Sequence, residues 1–146
     1  MMTATRIPII KLYGNLIVSI QVSLSDDVVV ALKEDITRNI EDYEARGLII
    51  DLSGIDLMDS YISRSIRDIA LISKLMGVKT VISGMDPMVA MTLVEMGLEM
   101  NDVRTALSLE DAIELLGKIR AEHNMDTLRE FLLSGVTTGR QTGNSN

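Results

Sequence analysis

Three short runs rich in aliphatic residues, Leu48 to Leu52, Val78 to Ser83 and Val103 to Leu107, each precede a stretch whose apolar residues recur at helical spacing. This alternation constrains the fold more than any other feature of the chain. Strand–helix–strand succession has one common solution: right-handed crossovers lay the helices against a mostly parallel sheet. Gly47, Gly77 and Gly97 follow successive helical stretches and read as their stops.

An N-terminal hairpin feeds these units. Ile7 to Tyr13 and Leu16 to Ile20 flank Gly14-Asn15, the kind of pair that turns a β-hairpin. In the second run Ile17 breaks strict alternation, which predicts a strand covered on both faces. Ser25-Asp26-Asp27 opens a helix with Val28, Leu32, Ile36 and Ile40 on its apolar side. A second helix follows Asp59-Ser60 and carries Ile62, Ile66, Ile69 and Ser73 on one face. A third starts at Asp86-Pro87, with Asp as cap and Pro in the first turn. Ser108-Leu109-Glu110-Asp111 resembles a capping box ahead of Ala112, Leu115, Leu116 and Ile119. The expected order is ββαβαβαβα: an α/β fold with a mixed, mostly parallel sheet and about four helices. The expected domain covers residues 1–122, and residues 123–146 form an extension holding one more short helix and a disordered tail.

Composition narrows the function. The chain has 146 residues, of which 47% are hydrophobic, enough for one domain with a real core. Aromatic residues are 3% with no Trp, and the net charge is -7, which disfavours base stacking, a phosphate backbone and an anionic membrane as partners. The absence of Cys excludes disulfides and thiolate chemistry and fits a reducing compartment. No stretch reads as a signal peptide or a membrane span, so a cytoplasmic protein is expected. The single His123 reads as a solvated helix-end residue, and one His without Cys makes a zinc site or a Ser-His-Asp site a poor fit. No phosphate-binding loop or Gly-x-Ser-x-Gly motif occurs, so no enzyme activity and no cofactor are expected. Ten Met residues, several between Met85 and Met100, fit either core filling or an adaptable partner surface.

One constellation remains. The loop after Leu48 to Leu52 holds Asp51, Asp56, Asp59 and Ser60 at the carboxyl end of a strand. The carboxylates could hold magnesium in a receiver-like phosphoacceptor domain, although the first strand ends in Tyr13-Gly14-Asn15 and lacks an acidic pair. Ser60 could instead be the working group, or simply a helix cap. A third alternative is a small-ligand sensor domain. Arg64 either orients a partner or pairs with Asp68 four residues on, and Arg67 either helps orient the same partner or lies on that solvated face. Met85, Asp86 and Pro87 either border a docking patch or only cap their helix.

The run Leu48-Ile49-Ile50-Asp51-Leu52-Ser53-Gly54-Ile55-Asp56-Leu57-Met58-Asp59-Ser60 resembles the central motif of STAS domains, the anti-anti-sigma factor family. Ile7 to Tyr13, Leu16 to Gln21, Ser73 to Gly77 and Ala90 to Gly97 extend the resemblance, which is strongest to RsbS-type scaffold antagonists of bacterial stressosomes. It covers roughly residues 6 to 120, nearly the whole expected domain. The resemblance implies a STAS-like fold and a phosphoacceptor at Ser60, with Asp56, Asp59, Tyr61, Arg64, Arg67, Met85, Asp86 and Pro87 on the partner-binding surface. It implies homo- and hetero-oligomers with RsbR-like paralogues, an RsbT-like serine kinase as client and an RsbX-like phosphatase that resets the system.

Overall fold

The computed structural model describes residues 6–21, 24–55, 58–95, 97 and 103–142. It divides into two compact units, Met1–Ile113 and Glu114–Asn146. The first contains β1 (Ile9–Leu12), β2 (Asn15–Ser19), α1 (Asp26–Tyr43), β3 (Gly47–Asp51), α2 (Ser60–Leu75), β4 (Lys79–Ser83), α3 (Pro87–Glu95) and β5 (Val103–Ala106). Helix α4 (Leu109–Thr142) starts there and makes up the second unit.

The sheet runs β1-β2-β3-β4-β5, with β1 antiparallel to β2 and the other pairs parallel. The strand order never reverses. Right-handed crossovers stepping in one direction put their helices on one face, and the core shows this. Leu16, Val18, Leu48, Ile50 and Ile82 form one cluster with Leu32 and Ile36 of α1, Ile66 and Ile69 of α2 and Val89 and Leu93 of α3. The alternate positions Ile17, Ile49 and Val81 are also buried, so the sheet is covered on both faces, as Ile17 predicted.

Caps and turns fall close to their expected places, with two shifts. The hairpin turns at Tyr13-Gly14, one residue early, with φ of 52° and 80°. Register explains the shift: Leu12 pairs with Asn15, which leaves two loop residues that both need positive φ, as a type I′ turn demands. Helix α1 ends at Glu44 rather than Gly47. Glu44 takes the left-handed conformation (φ 52°), and the Ala45 N–H then bonds the Ile40 carbonyl at 3.1 Å. Gly47 lies too far along to cap and becomes the first residue of β3. Gly77 does close α2 as expected. Its φ is 81°, and the Val78 and Gly77 N–H groups bond the Ser73 and Lys74 carbonyls at 2.8 and 3.0 Å.

Helix α4 departs from expectation. It runs 34 residues to Thr142, where a first helix, a second short one and a disordered tail were expected; residues 143–146 of that tail lie outside the described residues. The stretch contains no Pro, and Gly117, Gly135 and Gly139 each cost only about 1 kcal/mol in a helix interior, so nothing local forces a stop. His123 is therefore an exposed mid-helix residue rather than a helix end.

Two contacts fix the carboxyl edge of the sheet. Tyr61 in the first turn of α2 packs against the core and interacts electrostatically with Asp26 in the first turn of α1. That interaction with Asp26, then burial, raise the Tyr61 phenol above its ordinary value. Gly84, at the end of β4, has φ of 68°, and a Cβ there would lie 2.8 Å from Ser53 Cβ and 3.0 Å from Asp51 Oδ1.

Two predictions follow from these contacts. Gly84→Ala adds left-handed strain to overpacking and lowers stability by about 2–4 kcal/mol in urea melts; a loss under about 1 kcal/mol contradicts the geometry. The interaction with Asp26 favours the neutral phenol, so it stabilises the fold below the ordinary phenol pKa of about 10 and is lost as pH rises through the raised value. Ultraviolet titration of Asp26→Asn should therefore show one tyrosine ionising at lower pH than in the parent chain.

Candidate functional site

The site is built where β3 hands over to α2. Asp51 closes β3 and pairs in register with Ser83, the last residue of β4. Its carboxylate accepts from the Ser53 hydroxyl at 2.7 Å and the Ser83 hydroxyl at 2.9 Å. Asp51 is thus a brace between two strand ends, engaged on both oxygens. The sequence marked it only as one acid among several; its partner Ser83 becomes visible only once β3 and β4 are paired in register.

Asp59 is the cap of α2. Its backbone is extended (φ -99°, ψ 175°) and its side chain accepts from the Ile62 N–H at 2.8 Å. Its carbonyl also takes the Ser63 N–H at 3.1 Å and the Ser63 hydroxyl at 2.9 Å. This corrects the reading of Ser60 as a cap. Ser60 is the first helical residue, it is exposed, and no described residue bonds its hydroxyl.

Arg64 is also corrected. It does not pair with Asp68. Its Nε donates to the Ser60 carbonyl at 3.2 Å, which brings a guanidinium to the first turn. Asp68 is taken by Lys33 at 3.1 Å and Arg67 at 3.8 Å. Arg67 turns away from the strand–helix junction. It lines a cavity of about 540 Å³ with Leu71, Lys74, Gly77, Thr80 and Val103, towards the amino ends of β4 and β5. Tyr61 is half-buried and packs against the core beside Asp26, with part of its ring at the surface. Asp56 lies outside the described residues.

Met85, Asp86 and Pro87 follow β4, the strand next to β3, and so sit on the same sheet edge. Met85 packs against the core. Asp86 caps α3, its carboxylate accepting from the Met88 N–H at 2.8 Å, and Pro87 is exposed in the first turn. Met88 and Met91 are exposed by 63% and 57%, which removes core filling as the reason for these two methionines. Among the described residues no group of three or more acidic or His side chains is placed to hold a metal ion. An unreversed strand order also opens no crevice at a switch point, where open α/β sheets hold small ligands. Among the described residues no helix is long and apolar enough to cross a membrane.

Comparison with known proteins agrees with this layout. The STAS domain model matches residues 6–112. A serine-to-glutamate variant of RsbS from Moorella thermoacetica superposes with a TM-score of 0.72 at 33% identity, over 80% of this chain and 99% of that one. A chain from the structure titled "Molecular architecture of the stressosome, a signal integration and transduction hub" gives 0.71 at 34% identity, over 77% and 98%. RsbT co-antagonist protein RsbRD of Bacillus subtilis is 36% identical over 66 residues, 45% of this chain and 24% of that protein. The chain thus spans about a quarter of that relative's length. Family model, sheet order and the RsbS likeness converge, and the chain belongs to the STAS domain family.

Proposed function

We propose that this chain is a non-enzymatic, phosphorylatable stressosome component. In this reading it co-assembles with RsbR-like paralogues, retains an RsbT-like serine kinase and releases it when Ser60 is phosphorylated. An RsbX-like phosphatase reverses the step. The observation that carries the reading is the exposed Ser60 hydroxyl, unbonded by any described residue, beside an Asp59 that already performs the capping.

The chemistry is electrostatic. Phosphate adds about 1.5–2 negative charges and three acceptor oxygens. The amino end of α2 tolerates that charge, because helix-start N–H groups and the dipole both favour an anion. Arg64, bonded to the Ser60 carbonyl, is the nearby cation. Asp59 and Asp26 in the same first-turn region add no counter-charge. The domain therefore stays folded while this part of its surface becomes more negative. A docked acidic or apolar partner face then meets a new dianion and its desolvation cost. A penalty of about 3–4 kcal/mol weakens binding several-hundred-fold, enough for release without rearranging the fold.

The exposed methionines of α3, on the same sheet edge, suit a contact surface that repacks as partners change. In this reading the kinase bridges the first turns of α2 and α3, with Asp59, Arg64 and Pro87 at its rim. Asp56 belongs to the same loop and is included on the strength of the family resemblance alone.

Ser60→Ala should hold stability within about 0.5 kcal/mol of the parent chain, whereas Asp59→Ala should lose about 0.5–2 kcal/mol through the missing cap. Denaturant melts separate the two, and equal losses would show that Ser60 is structural. Ser60→Asp, carrying one charge, should raise the off-rate of an RsbT-like kinase from the assembled complex by about tenfold, the equivalent of roughly 1.4 kcal/mol. An unchanged off-rate would sink the electrostatic account.

A further inference from the structure

Every described residue from Ala121 to Gly135 on α4 is exposed, in a stretch beyond the residues matched to the STAS family. Ala121, Met125, Leu128 and Leu132 follow one another at spacings of four, three and four, the seam of a two-stranded coiled coil. Met125, Leu128 and Leu132 are 57%, 51% and 57% exposed. A helix this bare draws little stability from propensity alone, since most helical stability in proteins comes from packing an apolar face.

We propose that this stripe pairs with the same stripe of a second copy of the chain, running antiparallel. Charge selects both the occupant and the direction. Taking Met125 and Leu132 as a positions and Ala121 and Leu128 as d positions, the e positions beside the seam are Glu122 and Arg129. Antiparallel pairing sets e against e, so Glu122 faces Arg129 of the second copy, and two-fold symmetry repeats the contact. Parallel pairing sets g against e, which matches Asn124 with Arg129 and Gly117 with Glu122 and gains no ion pair. No described residue of the chain itself pairs with Glu122 or Arg129. The surface is therefore self-complementary in charge as well as apolar. The two-fold axis passes between Asp126 and Thr127. The proposal concerns residues outside the STAS match and stands apart from the Ser60 reading.

The chain contains no Cys, so one introduced cysteine carries one spin label. Pulsed electron paramagnetic resonance on the full chain, labelled at Thr127→Cys or at Glu114→Cys, reads the arrangement. Antiparallel pairing gives a short distance at Thr127, next to the axis, and a long one of roughly 35–40 Å at Glu114, from the 1.5 Å rise per residue. Glu122→Arg should abolish the short distance, and Glu122→Arg with Arg129→Glu should restore it. Short distances at both labels would mean parallel pairing and overturn the proposal. So would no short distance at Thr127, as fold-back onto the first unit or pairing only with a different protein would give.

Discussion

The hydrogen bond from the Ile62 N–H to the Asp59 carboxylate, 2.8 Å long, is the contact on which the functional reading turns. A helix start needs a side-chain acceptor, and a serine there is ordinarily spent on that task. Here the residue before it does the work. Ser60 is left in the first turn, exposed, in a position where added charge is tolerated by the helix. The flanking contacts hold the turn in place without using the hydroxyl. Tyr61 packs against the core, and Arg64 reaches back to the Ser60 carbonyl. The handover loop is pinned below by Asp51, which joins Ser53 and Ser83.

The fold supplies the setting for that surface. Because β1 to β5 lie in sequence order, α1, α2 and α3 share one face and their first turns share one edge. Such an edge is a platform rather than a crevice. It suits a partner protein better than a small ligand, and it brings the start of α2 level with the start of α3. The close approach of Gly84 to Ser53 keeps the two loops together. A charge added at one point of a rigid platform acts on the docked partner, not on the platform.

Much of this was legible in the sequence, and the exceptions have physical causes. Strand–helix alternation, the Asp86-Pro87 start and the Gly77 stop are local signals, and each holds in the structure. The hairpin turn slipped by one residue because strand register decides which two residues must take positive φ. Glu44 displaced Gly47 as the end of α1 because a non-glycine residue can enter the left-handed region when the next strand demands it. The site was legible as a loop and a serine, and its division of labour was not. Whether Asp59 or Ser60 caps depends on which of them sits in extended backbone. Asp68 pairs instead with Arg67 and with Lys33 of α1, a partner that only the packing of two helices brings near. The exposed face of α3 could not be read from a segment so uniformly apolar that its periodicity is faint.

The STAS match and the likeness to stressosome proteins bear on the whole first unit, whereas the phosphoacceptor is a claim about one oxygen. Tandem mass spectrometry of the chain after incubation with an RsbT-like kinase and ATP measures that oxygen directly. The account predicts a single phosphate, acid-stable and localised to Ser60. A phosphate on Ser53 or Ser63 instead, or an acid-stable label absent altogether, would contradict it.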